Sequence, residues 1–207
     1  MTEETAAPVP VLVADGLVLV GDADVGPFAL TLAPGALVSV PVADTETRDL
    51  LALTLAGRLA PAAGTLTLDG SPGLGWLPGL RLYEDLARVE EVLRDGRRIL
   101  GVRTTRDEAA RALVDAGLAG VARTPAERLR PVAKATLGVL VAAAPRPPVL
   151  VSVLPAGRDD DVAAFHAVVG AAREAGTAVV VVTTGTPPDR GSPVGHLHGR
   201  HASEAVA

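Results

Sequence analysis

Few residues in this chain could do chemistry, and most of them have a structural reading as well. Three of its four histidines, His196, His198 and His201, lie in GHLHGRH near the C-terminus. Their imidazoles could ligate a metal, but a Gly-, Pro- and Arg-rich segment offers no preorganised geometry, and residues 188–207 read as a solvated tail. His166 has no Ser or Cys partner pattern and reads as structural. Ser39 and Ser152 fall inside apolar runs and lack the nucleophile-elbow pattern. With no cysteine, disulfides, thiolate metal sites and a cysteine nucleophile are excluded. Two charged groups remain. Asp159, Asp160 and Asp161 could open a helix at its positive end. Arg48, between Glu46 and Asp49 in VPVADTETRD, reads as a surface ion-pair residue.

Composition narrows the partners. The net charge is −5 and aromatics make up 2% of the 207 residues. Neither a basic stripe nor a set of stacking rings is visible, which argues against nucleic acid. Hydrophobic residues make up 48%, enough for a large core built from Val, Leu and Ala. Lys134 is the sole lysine. The acidic start MTEETAAPVP is unlike a signal peptide, and no apolar run approaches the roughly 18 residues of a membrane span. These features predict a cytoplasmic chain, peripheral at the inner face of a membrane if it docks there.

The elements that must position these groups follow from periodicity. Val11–Val13, Leu17–Val20 and Phe28–Leu32 are short strand-like runs separated by turn signals. Ala36–Val42 is a continuous apolar strand, Thr45–Leu59 a helix with Gly57 near its end, and Thr65–Leu68 a strand. Residues from Tyr83 to about Gly120 are charged with helical periodicity, predicting a small helical insertion over about 80–130. Lys134–Ala144 reads as a helix stopped by prolines. Val149–Leu154 and Thr177–Thr184 read as buried strands flanking a helix over Val162–Ala175. Continuous Val/Leu strands alternating with helices predict an α/β fold with a mostly parallel sheet covered on both faces. The expected organisation is a mobile N-terminus over 1–9, one domain over 10–187, and the tail.

The order of these pieces resembles the ATPase subunit of ATP-binding-cassette (ABC) transporters, over roughly residues 10–187. LAGRLAPAAGTLTLDG, Leu55–Gly70, resembles that family's helix end, loop and strand after the phosphate loop. APGALVSV resembles the turn and strand before it. LGWLPG, Leu74–Gly79, resembles the segment ending in the Gln-loop. PPVLVSVLP, Pro147–Pro155, resembles the Walker B strand, and AGTAVVVVTTG, Ala175–Gly185, the strand ending at the switch histidine. The resemblance implies a P-loop NTPase-like fold with N-terminal antiparallel strands and a helical insertion.

The family's chemistry does not carry over onto these residues. Its phosphate loop uses glycines to bring backbone N–H groups to the phosphates, a Lys for the β/γ-phosphates and a Ser/Thr for Mg²⁺. On that pattern the glycine positions hold Val42, Thr45 and Thr47, the lysine position Arg48 and the hydroxyl position Asp49. Side chains at Val42 and Thr45 would crowd such a loop, and left-handed geometry costs a non-Gly residue roughly 1–2 kcal/mol. A carboxylate about 4 Å from a phosphate charge opposes binding by around 4 kcal/mol at an effective dielectric near 20, close to a thousandfold. Glu46 and Asp49 bring such charges. Arg48 could offset them or pair with either carboxylate, and Asp49 could instead ligate Mg²⁺.

The Walker B carboxylate positions hold Val153 and Leu154, neither able to hold a metal or polarise water. The signature loop reads LRPVA, Leu129–Ala133, where Pro131 removes an N–H donor. The Gln-loop position is Gly79, the switch position Thr184, and the adenine-stacking position an aliphatic near Val20. Asp160 matches the aspartate of the loop after Walker B. Trp76 and Tyr83 flank the insertion, where family members meet a membrane partner; ordinary packing is the competing reading.

The expectation is an ABC-ATPase-like subunit that is catalytically inactive, with no catalytic, cofactor-binding or metal residues and a structural or regulatory role. Its partners would be an integral-membrane permease, an active ATPase subunit or a second copy of itself. The alternatives are a nucleotide-binding ATPase with divergent motifs, which would bring ATP and Mg²⁺, or an unrelated α/β binding module.

Overall fold

A computed structural model describes residues 8–20, 27–78 and 87–185. Three strands, β1 (Leu12–Val18), β2 (Phe28–Leu32) and β4 (Ala63–Leu68), form an antiparallel sheet in the order β2-β1-β4. Four others, β3 (Leu37–Val42), β5 (Gly73–Leu74), β6 (Val149–Leu154) and β7 (Ala178–Thr184), form a sheet in the order β3-β7-β6-β5. All three pairings in this second sheet are parallel. The helices are α1 (Thr45–Leu55), α2 (Val89–Ile99), α3 (Arg106–Asp115), α4 (Pro131–Ala142) and α5 (Asp159–Glu174), with two short 3-10 turns between α3 and α4.

The strand alternation decides the layering. Along β6 and β7, Val149, Val151, Val153, Ala178, Val180 and Val182 pack with α1 and the antiparallel sheet. Their neighbours Leu150, Val179 and Val181 pack with α2, α3, α4 and α5. Both faces of the parallel sheet are therefore dry, which is why these strands read as unbroken apolar runs. Fully burying each Val or Leu contributes about 1.5–3 kcal/mol. Phe165, on α5, is fully buried among these small side chains.

Several boundaries differ from the sequence expectation. The runs at 11–13 and 17–20 are joined in one strand, β1, which covers Leu12–Val18 and shifts register around Gly16. Gly16 has φ +56°, so the chain passes an irregularity there without ending the strand. α4 begins at Pro131 rather than Lys134, because proline at the first helical position lacks only an N–H that the helix would not have used. α5 begins at Asp159, three residues before Val162, with all three aspartates in its first turn. α1 ends at Leu55, and Gly57, at φ +65°, lets the chain leave it. The insertion is helical as expected, with α2 and α3 packed on each other and α2 on α4.

Candidate functional site

The strand ends converge where the chemistry was sought. Parallel pairing sets Val42 opposite Thr184 and Leu154 opposite Thr183, and the Gly185 N–H donates to the Val42 carbonyl at 3.1 Å. α1 starts three residues after Val42. The phosphate-loop, Walker B and switch positions thus meet at the carboxyl edge of the parallel sheet, where α/β proteins bind ligands.

At that edge the chain makes a capped helix start. Asp44 is the N-cap of α1 in extended conformation. Its Oδ1 accepts the Thr47 N–H at 2.8 Å, and its Oδ2 accepts the Thr47 hydroxyl at 2.8 Å. These two bonds, the backbone one first, hold the Asp44 carboxyl below the usual carboxylate range. Thr45, Glu46 and Thr47 form the first helical turn. A side-chain carboxylate therefore takes the N–H that a helix start offers to a bound anion. Asp44 was not singled out from sequence, although Asp followed by a Thr three residues on, before an apolar helix, is a recognisable cap signal. The expected left-handed strain does not arise: among the described residues Arg146 alone, at φ 53°, is a non-glycine with positive φ.

Arg48 corrects the sequence reading in one respect. It does pair with Asp49, but it is buried, at 3% exposure, and not a surface residue. Its Nε donates to Asp49 Oδ1 at 2.8 Å and its Nη2 lies 2.8 Å from the same oxygen. The helix turns position 48 toward the interior, where the guanidinium needs a counter-charge. Asp49, with 29% side-chain exposure, supplies it.

On the neighbouring strand Val153 is fully buried and Leu154 half-buried. Pro131 occupies the first position of α4, and its N-cap, Arg130, gives no side-chain cap. Arg130 instead grips Asp161 through a fork, Nη2 to Oδ1 and Nη1 to Oδ2, both 2.8 Å. Of the three aspartates in the first turn of α5, Asp161 is therefore the one tied to α4. Thr184 is half-buried and Val20 is 46% exposed. Trp76 packs partly buried against the helical core, with Lys134 Nζ 5.9 Å from its ring centroid. His166 is exposed on α5 with its ring edge-on to Phe165 at 5.7 Å. Ser152 is buried and Ser39 half-buried in their strands. Gly79, Tyr83, His196, His198 and His201 lie outside the described residues. Among the described residues, no cluster of three or more His, Asp or Glu could hold a metal ion.

These side chains do not fit a magnesium-bound triphosphate. Val42, Val153 and Leu154 present no side-chain oxygen or N–H, the Asp49 carboxylate faces Arg48, and the Asp44 carboxylate occupies the start of α1.

No protein-family model matches the chain. Two curated relatives are 35% identical over 113 residues: the cytochrome c biogenesis ATP-binding export proteins CcmA of Bordetella parapertussis and Bordetella bronchiseptica. The matched stretch is 50% of this chain, and the chain spans about half, 50%, of the length of these relatives. Among solved structures, an ABC transporter (ATP-binding protein) candidate from Pyrococcus furiosus superposes with a TM-score of 0.72 at 16% identity, covering 90% of this chain and 97% of its own. CbiO1 of Clostridium perfringens, part of the ABC transporter complex CbiONQ, gives 0.59 at 16% identity over 84% and 78%. The structural likeness establishes the fold, and the curated matches add sequence over half the chain. Together they give this chain the fold of ABC transporter ATP-binding subunits, with a sequence likeness to two of them over half its length.

Proposed function

We propose that this chain is a catalytically silent ABC ATPase-like subunit, kept for its shape in a membrane transport complex. One observation carries the reading: the segment aligned with the phosphate loop is a regular helix start, capped by the Asp44 carboxylate. A phosphate arriving there meets an anion instead of open N–H groups. Val153 and Leu154 offer neither a metal ligand nor a general base, so hydrolysis has no obvious agent. The proposed partners are a permease, an active ATPase subunit or a second copy of the chain. Because the relatives are named as export proteins, an exporter-type permease is the first partner to seek.

Titration of the purified full chain with MgATP tests this. The expected result is no micromolar binding and no phosphate release. Micromolar binding, or hydrolysis that Arg48→Ala abolishes, overturns it. A second reading, a nucleotide-binding subunit with divergent motifs, draws on the 35% identity with proteins named as ATP-binding. It requires ATPase activity in the complex with a partner, lost on substitution of Arg48 or Asp49.

A further inference from the structure

The hairpin between α2 and α3 concentrates a charge opposite to that of the whole chain. Residues 94–108, RDGRRILGVRTTRDE, hold five arginines against Asp95, Asp107 and Glu108 in a protein of net charge −5, the last two exposed on the first turn of α3. Arg94, Arg98, Arg103 and Arg106 are exposed. Arg97 is spoken for, its Nε donating to the Leu140 carbonyl at 3.1 Å. Asp95 lies 3.2 Å from Arg98, but that pair is open to solvent and only weakly offsets the charge. A cleft of about 310 Å³ is lined by Arg94, Asp95, Arg98, Arg103 and Thr104.

Two apolar side chains crown this basic rim. Ile99 is 83% exposed and Leu100 45%, at the C-terminal end of α2. Gly101, at φ +80°, turns the chain immediately after them. Nothing in the fold requires both to face water, and they lie on a projecting turn. A protruding apolar pair suits a soft interface better than the rigid surface of a partner protein. Guanidinium groups and a threonine hydroxyl around a small cleft match phosphate oxygens. Basic side chains around an exposed apolar tip are how a peripheral protein meets an anionic bilayer.

We propose that the α2–α3 hairpin is a docking surface for an anionic lipid membrane, with Ile99 and Leu100 entering the headgroup layer and Arg94, Arg98 and Arg103 engaging lipid phosphates. The rest of the chain is net acidic, so the hairpin also sets the orientation of the bound protein. This inference is independent of whether nucleotide binds.

Co-sedimentation of the full chain with vesicles tests it, comparing phosphatidylcholine alone with phosphatidylcholine plus phosphatidylglycerol. Binding is expected only with phosphatidylglycerol and weakens as salt screens the charges. Each arginine neutralised lowers the partition constant by roughly fivefold, so Arg94→Gln/Arg98→Gln/Arg103→Gln loses on the order of a hundredfold. Ile99→Ser/Leu100→Ser lowers binding without changing net charge. An exposed triple on other elements, Arg58→Gln/Arg158→Gln/Arg173→Gln, carries the same charge change and is expected to retain most of the binding. All these residues except the half-exposed Leu100 are well exposed, and circular dichroism confirms that each variant folds. Equal binding to both vesicle types, equal loss in the triple on other elements, or no loss in either hairpin variant overturns the proposal. Binding to polyglutamate in place of vesicles assigns the surface to an acidic protein partner and also overturns it.

Discussion

The Arg48–Asp49 pair makes a prediction whose sign depends on burial. The Arg48 side chain is 4% exposed and that of Asp49 29%. Removing either leaves the other alone, but the two are not equally trapped. Asp49→Ala strands a guanidinium in a site nearly closed to water. Breaking a buried pair from one side costs about 3–5 kcal/mol, and partial relaxation toward the vacated position puts this case near 3. Arg48→Met keeps an apolar stem in the same space and leaves a carboxylate that can turn to water. Its cost is about 1 kcal/mol, the ordinary net worth of a hydrogen bond. With a urea slope near 2 kcal/mol per molar, the midpoints fall by roughly 1.5 M for Asp49→Ala and 0.5 M for Arg48→Met. The double variant Arg48→Met/Asp49→Ala lies near the milder single, because no stranded charge remains. Urea unfolding followed by far-UV circular dichroism measures all three. Equal losses in the two singles, or a harmless Asp49→Ala, would refute the burial argument. A double variant as unstable as Asp49→Ala would do the same.

Other expectations follow from single features. The Asp44 carboxyl titrates below its ordinary value in the folded chain, so its stabilising effect is complete above the ordinary carboxylate pKa and fades as pH falls through the depressed one. The melting-temperature gap between wild type and Asp44→Ala is therefore expected at pH 7 and expected to close in strong acid; a gap constant with pH contradicts the cap. A Cβ at Gly138 would lie 2.3 Å from the Trp76 backbone nitrogen, whereas one at Gly170 meets nothing within 4 Å. Gly138→Ala is expected to destabilise by about 1–3 kcal/mol. Gly170→Ala, inside α5, is expected to stabilise by roughly 0.5–1 kcal/mol, both read from denaturant midpoints. Grafting Val42→Gly/Thr45→Gly/Thr47→Gly/Arg48→Lys/Asp49→Ser is expected to leave phosphate release at background, since Val153 and Leu154 still lack a carboxylate; turnover in the graft would show that the strand end is not limiting.

The parts legible in the sequence were those fixed by solvent. Val149–Leu154 and Ala178–Thr184 have dry faces on both sides, so their composition alone marks them as interior strands. The parts that were not legible depend on what the chain meets far along its length. The pairing of Arg130 with Asp161 spans 31 residues and leaves no local pattern. β5 has two residues and no period to read. The burial of Arg48 depends on the rotation of α1 against β6 and β7. Asp44 is a different case, since its cap signal was present in the local sequence. The cap signal and the phosphate-loop positions fall on the same residues, 42–49, so the missing glycines and the helix start are one feature of the sequence.

On the proposed reading, that helix start bears on how the fold stands without a phosphate site. A phosphate cradle leaves backbone N–H groups unsatisfied until an anion arrives, and glycines there add chain entropy that folding must overcome. Here the carboxyl edge of the sheet is closed from within: Asp44 caps α1, Asp49 neutralises Arg48, and Val42 and Val153 continue the core. None of these contacts calls for a ligand. The layers held by Val and Leu across the parallel sheet are indifferent to what sits at its edge. A frame of this kind can therefore keep its outer surfaces, including the α2–α3 hairpin, in fixed relation without nucleotide, and selection acting on those surfaces alone would preserve it.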